Sequence, residues 1–133
     1  MRVKIDPLDK LFSEFIRKRA MIRVHGCERC LAWKESWKQL QCSHFYGRSK
    51  RSVRFDEDNA IGICGACHLY LTAHPLEQVE FFKTRLGERG FDMLNSRMRR
   101  MEKVDRKLLE LYYQNKIKGE KCKFYSIISG IGI

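Results

Sequence analysis

The sequence predicts an α+β fold in which a zinc-braced unit of two strands and one helix is flanked by further helices. Three observations predict it. Two Cys-x-x-Cys pairs, Cys27/Cys30 and Cys64/Cys67, supply the four thiolates of a closed tetrahedral zinc site. Two short apolar segments lie between those pairs, and apolar residues at helical spacing occur before and after them.

The chain divides into three parts of one compact domain. Residues 1–24 form an N-terminal helix with its lead-in, residues 25–75 form the braced core, and residues 76–133 form a helical C-terminal extension that ends in an apolar tail. A chain of 133 residues suffices for one domain with a modest core.

The first helix begins at Asp6-Pro7, because Asp is a good N-cap and Pro fits the first helical position. The apolar stripe that follows, at Leu8, Leu11, Phe12, Phe15 and Ile16, has the spacing of one helix face. After the first cysteine pair, residues 31–37 are either a short helical turn or a loop. We expect Trp33 and Trp37 to pack over the zinc site.

The middle of the chain is predicted as strand, strand and helix. Residues 39–46 form the first strand, and Gly47 marks a turn into a basic loop over 48–54. Residues 55–59 turn the chain again, and 60–63 form a short apolar strand. A helix then starts inside the second cysteine pair and runs from Gly65 to about Ala73.

The C-terminal extension is predicted to be mainly helical. Pro75 starts a helix that Gly87 and Gly90 end, and residues 91–117 are helical, in two pieces that meet near 104–105. Gly119 closes the last helix. The apolar tail Phe124–Ile133 has at most β character, and an edge strand, a partner contact and an unpacked end all stay open.

The charge of the chain favours a polyanionic partner. The formal net charge is +11 and the pI is about 9.6, and residues 1–54 hold 14 Lys and Arg against five Asp and Glu. Basic side chains placed on phosphates release condensed counterions, which favours nucleic acid. The alternative is a charge that serves only solubility.

The sequence contains neither an apolar run long enough to cross a membrane nor an export signal. We therefore expect a cytoplasmic protein with no membrane partner. In such a reducing compartment, Cys-x-x-Cys pairs are typical of metal sites rather than disulfides. Cys42 and Cys122 are then left as free thiols, although Cys42 could also compete as a zinc ligand.

The 33 residues between Cys30 and Cys64 exceed the usual zinc-ribbon spacing of about 15–20 residues. Zinc would hold the two cysteine pairs together whatever they enclose, and structural zinc contributes on the order of 10 kcal/mol. Zinc binding therefore does not explain the length of the inserted segment, and its residues indicate a further function.

The insertion and its surroundings resemble a known family. The segments that carry the resemblance are Ser43-His44-Phe45-Tyr46, Arg54-Phe55-Asp56-Glu57-Asp58-Asn59 and Cys64-Gly65-Ala66-Cys67-His68-Leu69-Tyr70-Leu71. They resemble the zinc-braced HNH (ββα-metal, His-Me finger) endonucleases and, within these, the lambdoid phage NinG/Rap recombination proteins. The likeness covers roughly residues 10–118 and is weak in the last third.

The resemblance implies a phosphodiester hydrolase acting on DNA, including recombination-associated or branched (Holliday-type) DNA, in the host cytoplasm if the chain is phage-encoded. His44 would be the general base, Asn59 would hold it in place, and His68 would bind a single catalytic divalent metal, Mg²⁺ or Mn²⁺. Many HNH enzymes carry Asp or His before the base, whereas this chain has Ser43, a weak ligand at best. Water, or a carboxylate from Asp56 or Asp58, would complete the ligand set.

Basic residues flank the predicted hairpin. Four of them, Arg48, Lys50, Arg51 and Arg54, are predicted to hold phosphates beside the cut. A second basic track is predicted on the C-terminal helices at Arg97, Arg99, Arg100, Lys103, Arg106 and Lys107. Solvated basic surfaces without a ligand are the alternative for both.

Other interpretations stay open at this point. His44 could be a buried strand histidine, Asn59 a plain turn residue, and His68 a neighbour or ligand of the structural zinc. Thr72, one helical turn beyond His68, either holds a metal-bound water or only packs. The rival functions are a non-cleaving zinc-dependent DNA-binding recombination accessory protein and a zinc ribbon for protein assembly. The C-terminal helices could also supply a homodimer contact.

Overall fold

The structure, a computed structural model, describes residues 4–131, and side chains up to residue 118. Its elements are α1 (Pro7–Val24), β1 (Gln41–His44), β2 (Ala60–Ile63), α2 (Gly65–Ala73), α3 (Pro75–Arg100) and α4 (Arg106–Ile131). Two 3₁₀ turns, Trp37–Gln39 and Glu57–Asn59, precede the two strands. The predicted α+β class and the order strand, strand, helix in the middle of the chain are confirmed.

Helix α1 begins as predicted. The Asp6 carboxylate accepts a hydrogen bond from the Leu8 backbone N–H at 2.9 Å, and Pro7 occupies the first turn. The helix ends at His25, whose left-handed backbone (φ 52°) turns the chain into the first cysteine pair. Its predicted apolar stripe is mostly buried, with Leu8, Phe12 and Ile16 fully inaccessible.

Strands β1 and β2 form one antiparallel hairpin whose two faces are covered by different helices. In its register Cys42 lies opposite Gly62 and His44 opposite Ala60, so these four residues share one face. That face meets α1. A Cβ on Gly62 would lie 2.7 Å from the Ala20 Cβ, so only glycine allows this close approach.

The other face of the hairpin carries Gln41, Ser43, Ile61 and Ile63. Both isoleucines are fully buried and pack in one cluster with Leu71 of α2. The hairpin is therefore a thin layer between α1 on one side and α2 on the other. Strand β1 is shorter than the predicted 39–46, because residues 37–39 form a 3₁₀ turn instead.

Residues 31–36 form a loop, and the prediction that both tryptophans pack over the zinc site is wrong. Trp33 is 68% exposed and stacks on the His25 ring with the ring centroids 5.4 Å apart. An isolated bridge between Gly26 and Trp33 fixes this backbone and leaves the indole at the surface. Trp37 lies instead against α1, where the Arg17 guanidinium sits 4.6 Å from its ring.

The C-terminal helices differ from the prediction in their ends. Gly87 interrupts α3 with φ 75° and ψ 164°, but the helix resumes and passes Gly90 to reach Arg100. Gly119 does not close α4, which continues to Ile131. The β character expected for the tail is therefore wrong for its backbone up to residue 131. The side chains of Cys122 and of the tail lie outside the described residues.

Helix α4 packs against α1 and the loop before β2. Tyr113 is 1% exposed and donates its hydroxyl to the Phe55 carbonyl oxygen. At the other end of the contact, the Arg106 guanidinium lies 2.5 Å from the Asp6 carboxylate. Among the described residues, none of the helices combines the length and apolar character required to cross a membrane.

Candidate functional site: a four-cysteine cluster and two histidines

The four predicted zinc ligands meet in space. The sulfur atoms of Cys27, Cys30, Cys64 and Cys67 all lie within 4.8 Å of one another. A tetrahedral zinc with Zn–S bonds of about 2.3 Å places its sulfurs about 3.8 Å apart, and the Cys30 and Cys64 sulfurs are 3.9 Å apart. The cluster therefore fits a structural metal such as zinc.

Hydrogen-bond donors lie beside two of the cluster's sulfurs, those of Cys27 and Cys67. Burial alone would raise the pKa of the Cys27 thiol, but backbone N–H donors, among them that of Cys30 at 3.4 Å, outweigh burial and lower it. The Arg29 guanidinium donates to the Cys67 sulfur at 3.4 Å, but burial and the neighbouring sulfurs outweigh this donor and raise the pKa of Cys67 to about 12. Cys42 is no competitor, because it lies outside the cluster and burial raises the pKa of its thiol to about 12.

Glu28, inside the first cysteine pair, ties the cluster to the hairpin and to two helices. Its carboxylate accepts a hydrogen bond from the Gly62 backbone N–H at 2.6 Å, and the Glu28 N–H donates to the Gly62 carbonyl at 3.0 Å. The same carboxylate pairs with Arg85 of α3 at 2.5 Å and with Arg23 of α1 at 3.6 Å. A metal held by the cysteines would therefore also fix the hairpin.

His44, the predicted general base, is the last residue of β1 and is half-buried. Its Nε2 lies 3.2 Å from the Arg54 carbonyl oxygen, and its ring packs on Phe12 with centroids 5.5 Å apart. A carbonyl can only accept, so Nε2 carries the proton and Nδ1 keeps a lone pair. Burial lowers the pKa of His44, which keeps the ring neutral.

Asn59 is fully buried and fastens the loop that returns from β1 to β2. Its Oδ1 accepts from the Tyr46 N–H at 2.8 Å, and its Nδ2 donates to the carbonyls of Tyr46 and Val53 at 2.9 and 3.0 Å. None of these hydrogen bonds reaches the His44 ring, but the Asn59 carbonyl accepts from the N–H of Phe45, the residue after His44, at 2.8 Å. Asn59 therefore positions His44 indirectly, through the backbone of Phe45 and of the loop that contains Arg54.

His68 lies on α2 and is half-buried. Its Nδ1 is 2.7 Å from Oε1 of Gln41 on β1. The amide oxygen only accepts, so Nδ1 carries the proton and Nε2 is left with the lone pair that a metal needs. His68 and Gln41 line an open groove of about 410 Å³, together with Thr72, whose hydroxyl donates to the His68 carbonyl at 2.8 Å.

The structure separates the predicted catalytic residues by face. His44 lies on the α1 face of the hairpin, whereas Gln41, the hydrogen-bond partner of His68, lies on the α2 face. Side chains alternate between the two faces along a strand, and these two residues are three positions apart on β1. Ser43 is on the His68 side but is 1% exposed and does not line the groove. None of the side-chain hydrogen bonds found for His44, Asn59 and His68 joins two of these three residues.

The carboxylates suggested as extra metal ligands are already engaged. Asp56 and Asp58 both receive hydrogen bonds from Arg97 of α3, at 2.6 Å and 3.0 Å. Asp56 also caps the turn before β2 by accepting from the Asp58 N–H at 3.0 Å. Neither lines the groove of His68. Arg97 in turn is neutralised and does not contribute to the predicted second basic track.

The basic loop contains two kinds of residue. Arg48, Lys50 and Arg51 are exposed, and none forms an ion pair within the described part of the chain. The structure gives Arg54 a different role, because its guanidinium binds the Asp9 carboxylate through two nitrogens and Asp6 at 3.5 Å. Arg54 therefore fixes the loop against α1.

Sequence reasoning missed the residues that position the two histidines. Gln41 and Asp9 carry no spacing signal, because their partners His68 and Arg54 lie 27 and 45 residues away. Glu28 stands between the first two cysteines, where no sequence pattern indicates that its side chain is only 1% exposed. Only the tertiary fold brings these partners together.

Comparison of the chain with models of known protein families, with curated proteins and with solved structures finds no match. The class that the structure defines is therefore a small α+β protein with a two-stranded hairpin and a four-cysteine cluster that could hold zinc.

Proposed function

We propose that this protein is a metal-dependent, HNH-type endonuclease that hydrolyses phosphodiester bonds of DNA. The observation that carries the proposal is the hydrogen bond between His44 Nε2 and the Arg54 carbonyl, because it supplies a neutral imidazole with one free lone pair. Recombination intermediates and branched DNA are the substrates that the resemblance implies.

His44 is the general base in the proposed reaction. Its Nδ1 takes a proton from a water molecule, whose oxygen attacks the phosphorus while the bond to the 3′-oxygen breaks, and the leaving 3′-oxygen takes a proton from a second water molecule. The products are a 5′-phosphate and a 3′-hydroxyl. A lowered pKa keeps His44 in the basic form at neutral pH.

The residues around His68 fit a weakly held divalent cation. His68 Nε2 would be the protein ligand, and Gln41 orients the ring through its hydrogen bond to Nδ1 on the opposite side. Mg²⁺ usually keeps several waters and binds substrate phosphates, which would complete such a sparse ligand set. When bound, the ion would neutralise negative charge on the scissile phosphate and the leaving oxygen.

The exposed residues of the basic loop support DNA as the substrate. The loop follows directly after the strand that ends in His44, and its exposed residues are Arg48, Lys50 and Arg51. Phosphates bound by this loop therefore lie beside His44, the proposed general base. His44 is the last residue of β1, whereas Gln41, the partner of His68, is the first and lies on the opposite face. The proposed reaction therefore requires a substrate that reaches both positions.

Plasmid DNA and a synthetic four-way junction test the proposal, each incubated with Mg²⁺ or Mn²⁺. Cleavage is expected for the wild type and is lost in His44→Ala, with zinc content and DNA binding retained. Cys42→Ala is the matched control, since it removes another side chain on the same face of β1. Cleavage by His44→Ala at the wild-type rate contradicts the proposal.

A non-cleaving zinc-dependent DNA-binding protein is the second candidate. The observation in its favour is that Ser43 is buried and that His44 and His68 do not share a groove. It predicts tight binding of the junction with no cleavage under any divalent metal, and no effect of His44→Ala on binding.

A further inference from the structure

A second groove lies between the basic loop and the turn that joins α3 to α4. It has a volume of about 670 Å³ and shares no residue with the groove of His68. Ser52 and Met98 both line it, and the Ser52 hydroxyl donates to the Met98 carbonyl at 3.1 Å. The loop is thereby tied to α3, so the groove is a built feature of the fold.

The rim of this groove is strongly basic. Lys50 and Arg51 stand on one side, and Arg99 and Lys103 on the other. None of these four forms an ion pair within the described residues, whereas Arg54 and Arg106 in the same wall are neutralised by Asp9 and Asp6. Glu102 is the acidic residue in the lining, so the rim keeps a positive surplus that suits an anionic chain.

Apolar residues also line the groove, and we call this set, Phe55, Met98, Met101 and Val104, its floor. Phe55 is buried, whereas Met101 is 76% exposed on a left-handed backbone of φ 50°. An exposed, unbranched thioether adapts to flat apolar surfaces and interacts favourably with aromatic rings. A floor of this kind suits the face of an unpaired base better than a hydrated phosphate.

The size of the groove also separates a single strand from a duplex. Its volume lies within the range of about 300–1,000 Å³ that is typical of sites for small ligands, so it suits individual nucleotides rather than a double helix. A basic rim above an apolar floor is the arrangement by which proteins hold single strands, with phosphates on the rim and bases on the floor.

We propose that this groove binds an unpaired DNA strand, with its phosphates on Lys50, Arg51, Arg99 and Lys103 and a base on the floor at Met101. The inference rests on the proposed function, because it takes DNA as the partner. Arg54 joins the two regions, since its side chain lines the groove and its carbonyl holds His44. A DNA strand in the groove therefore extends toward His44, the proposed general base. A branch point or a flap in the DNA would require this arrangement.

Fluorescence anisotropy tests this with a labelled 15-nucleotide oligothymidine and a 15-base-pair blunt duplex, without added divalent metal so that nothing is cut. The double variant Arg99→Ala/Lys103→Ala is expected to bind the single strand more weakly. The slope of log K against log salt should fall by about 1.4, at about 0.7 per phosphate contact. Lys83→Ala/Arg89→Ala removes the same charge from exposed positions of α3 outside the groove and should leave the slope unchanged.

A second variant separates the floor from the rim. Met101→Ser should weaken binding of the single strand while its salt slope stays at the wild-type value, because no charge is removed. The inference is overturned if the groove and control variants bind the single strand equally, or if wild-type affinity for the duplex equals that for the single strand.

The two proposals fail separately. Unchanged strand binding in the groove variants, together with cleavage that depends on His44, removes the groove inference and leaves the nuclease. Groove-dependent strand binding without cleavage in any metal removes the nuclease and leaves the groove.

Discussion

The Nε2 atom of His44 lies 3.2 Å from the carbonyl oxygen of Arg54, ten residues further along the chain. The Arg54 side chain is in turn bound to Asp9 of α1. The orientation of the imidazole is therefore set by a helix that contributes no catalytic group. This hydrogen bond leaves Nδ1 as the ring nitrogen with a free lone pair.

The pH dependence of cleavage should report a depressed pKa at His44. Burial is the main cause of the lowered pKa, and the positive charge of Arg48 adds to it. Because the base acts when neutral, activity is full above that pKa and falls as the pH drops through it. We expect the acid limb of kcat/KM to lie below pH 6.5, the ordinary value for histidine.

The control for this profile is Arg48→Ala, which removes a nearby positive charge and should move the acid limb to higher pH. An acid limb at or above pH 6.5 in the wild type would contradict the assignment. The linked effect on stability has the same sign: the unfolded chain binds the proton more readily, so the free energy of unfolding decreases as the pH falls below 6.5.

Arg54 and Arg51 should respond differently to substitution by alanine. Arg54→Ala leaves the Asp9 carboxylate, in a residue only 8% exposed, without its charged donor. The expected loss is about 2 kcal/mol of unfolding free energy. We also expect a fall in kcat, because the Arg54 carbonyl that orients His44 is then held less firmly. Arg51→Ala should leave stability unchanged and weaken DNA binding.

Urea denaturation and steady-state cleavage distinguish the two. Asp9→Asn offers a check from the other partner: it keeps the shape and one acceptor, so its loss of stability should be smaller than that of Arg54→Ala. Equal stability of Arg54→Ala and wild type would remove the proposed positioning role.

The outline of the fold could be predicted because its signals are local. The cap at Asp6, the stripe of α1 and the two Cys-x-x-Cys pairs each depend on residues close together in sequence, and each is found in the structure. The exposure of Trp33 could not be predicted, since it depends on a backbone bridge to Gly26 rather than on hydrophobicity.

The arrangement of the candidate site was less predictable for a related reason. The sequence places His44, Asn59 and His68 in order, but the face on which each lies depends on the register of a four-residue strand. A shift by one residue would exchange the faces. The partners that fix each ring, Arg54 and Gln41, emerge only from the tertiary contacts.

Asn59 should be more important for stability than for the chemistry itself. Alanine removes three hydrogen bonds at a fully buried position and leaves two carbonyls and one N–H without that partner. We expect a loss of about 3 kcal/mol in unfolding free energy. The exposed Asn115→Ala is the matched control and should change stability by less than about 0.5 kcal/mol. Equal stability of the two variants would disprove the role given to Asn59.

The four-cysteine cluster should bind one zinc per chain, measured by elemental analysis of purified protein. Cys64→Ser should lose the metal and most of the helical circular dichroism, because zinc in such sites contributes on the order of 10 kcal/mol to folding. Cys42→Ala should keep a full equivalent of zinc, since Cys42 lies outside the cluster. Full zinc occupancy in Cys64→Ser would exclude the cluster as the site.

Gln41 should control the affinity of the catalytic metal without touching it. Its amide oxygen fixes the His68 ring at 2.7 Å and directs Nε2 outward, and removing such a partner typically costs about 10–100-fold in metal affinity or activity. Gln41→Ala should therefore raise the Mn²⁺ concentration needed for half-maximal cleavage by that factor, with zinc content unchanged.

Gln41→Glu keeps an acceptor at the same place and should restore much of the affinity, whereas His68→Ala sets the lower limit. Gln41 is exposed and pairs with His68 from the first residue of a strand, so alanine there disturbs little of the core. If Gln41→Ala and wild type need the same Mn²⁺ concentration, His68 does not hold the metal in the orientation that the hydrogen bond imposes.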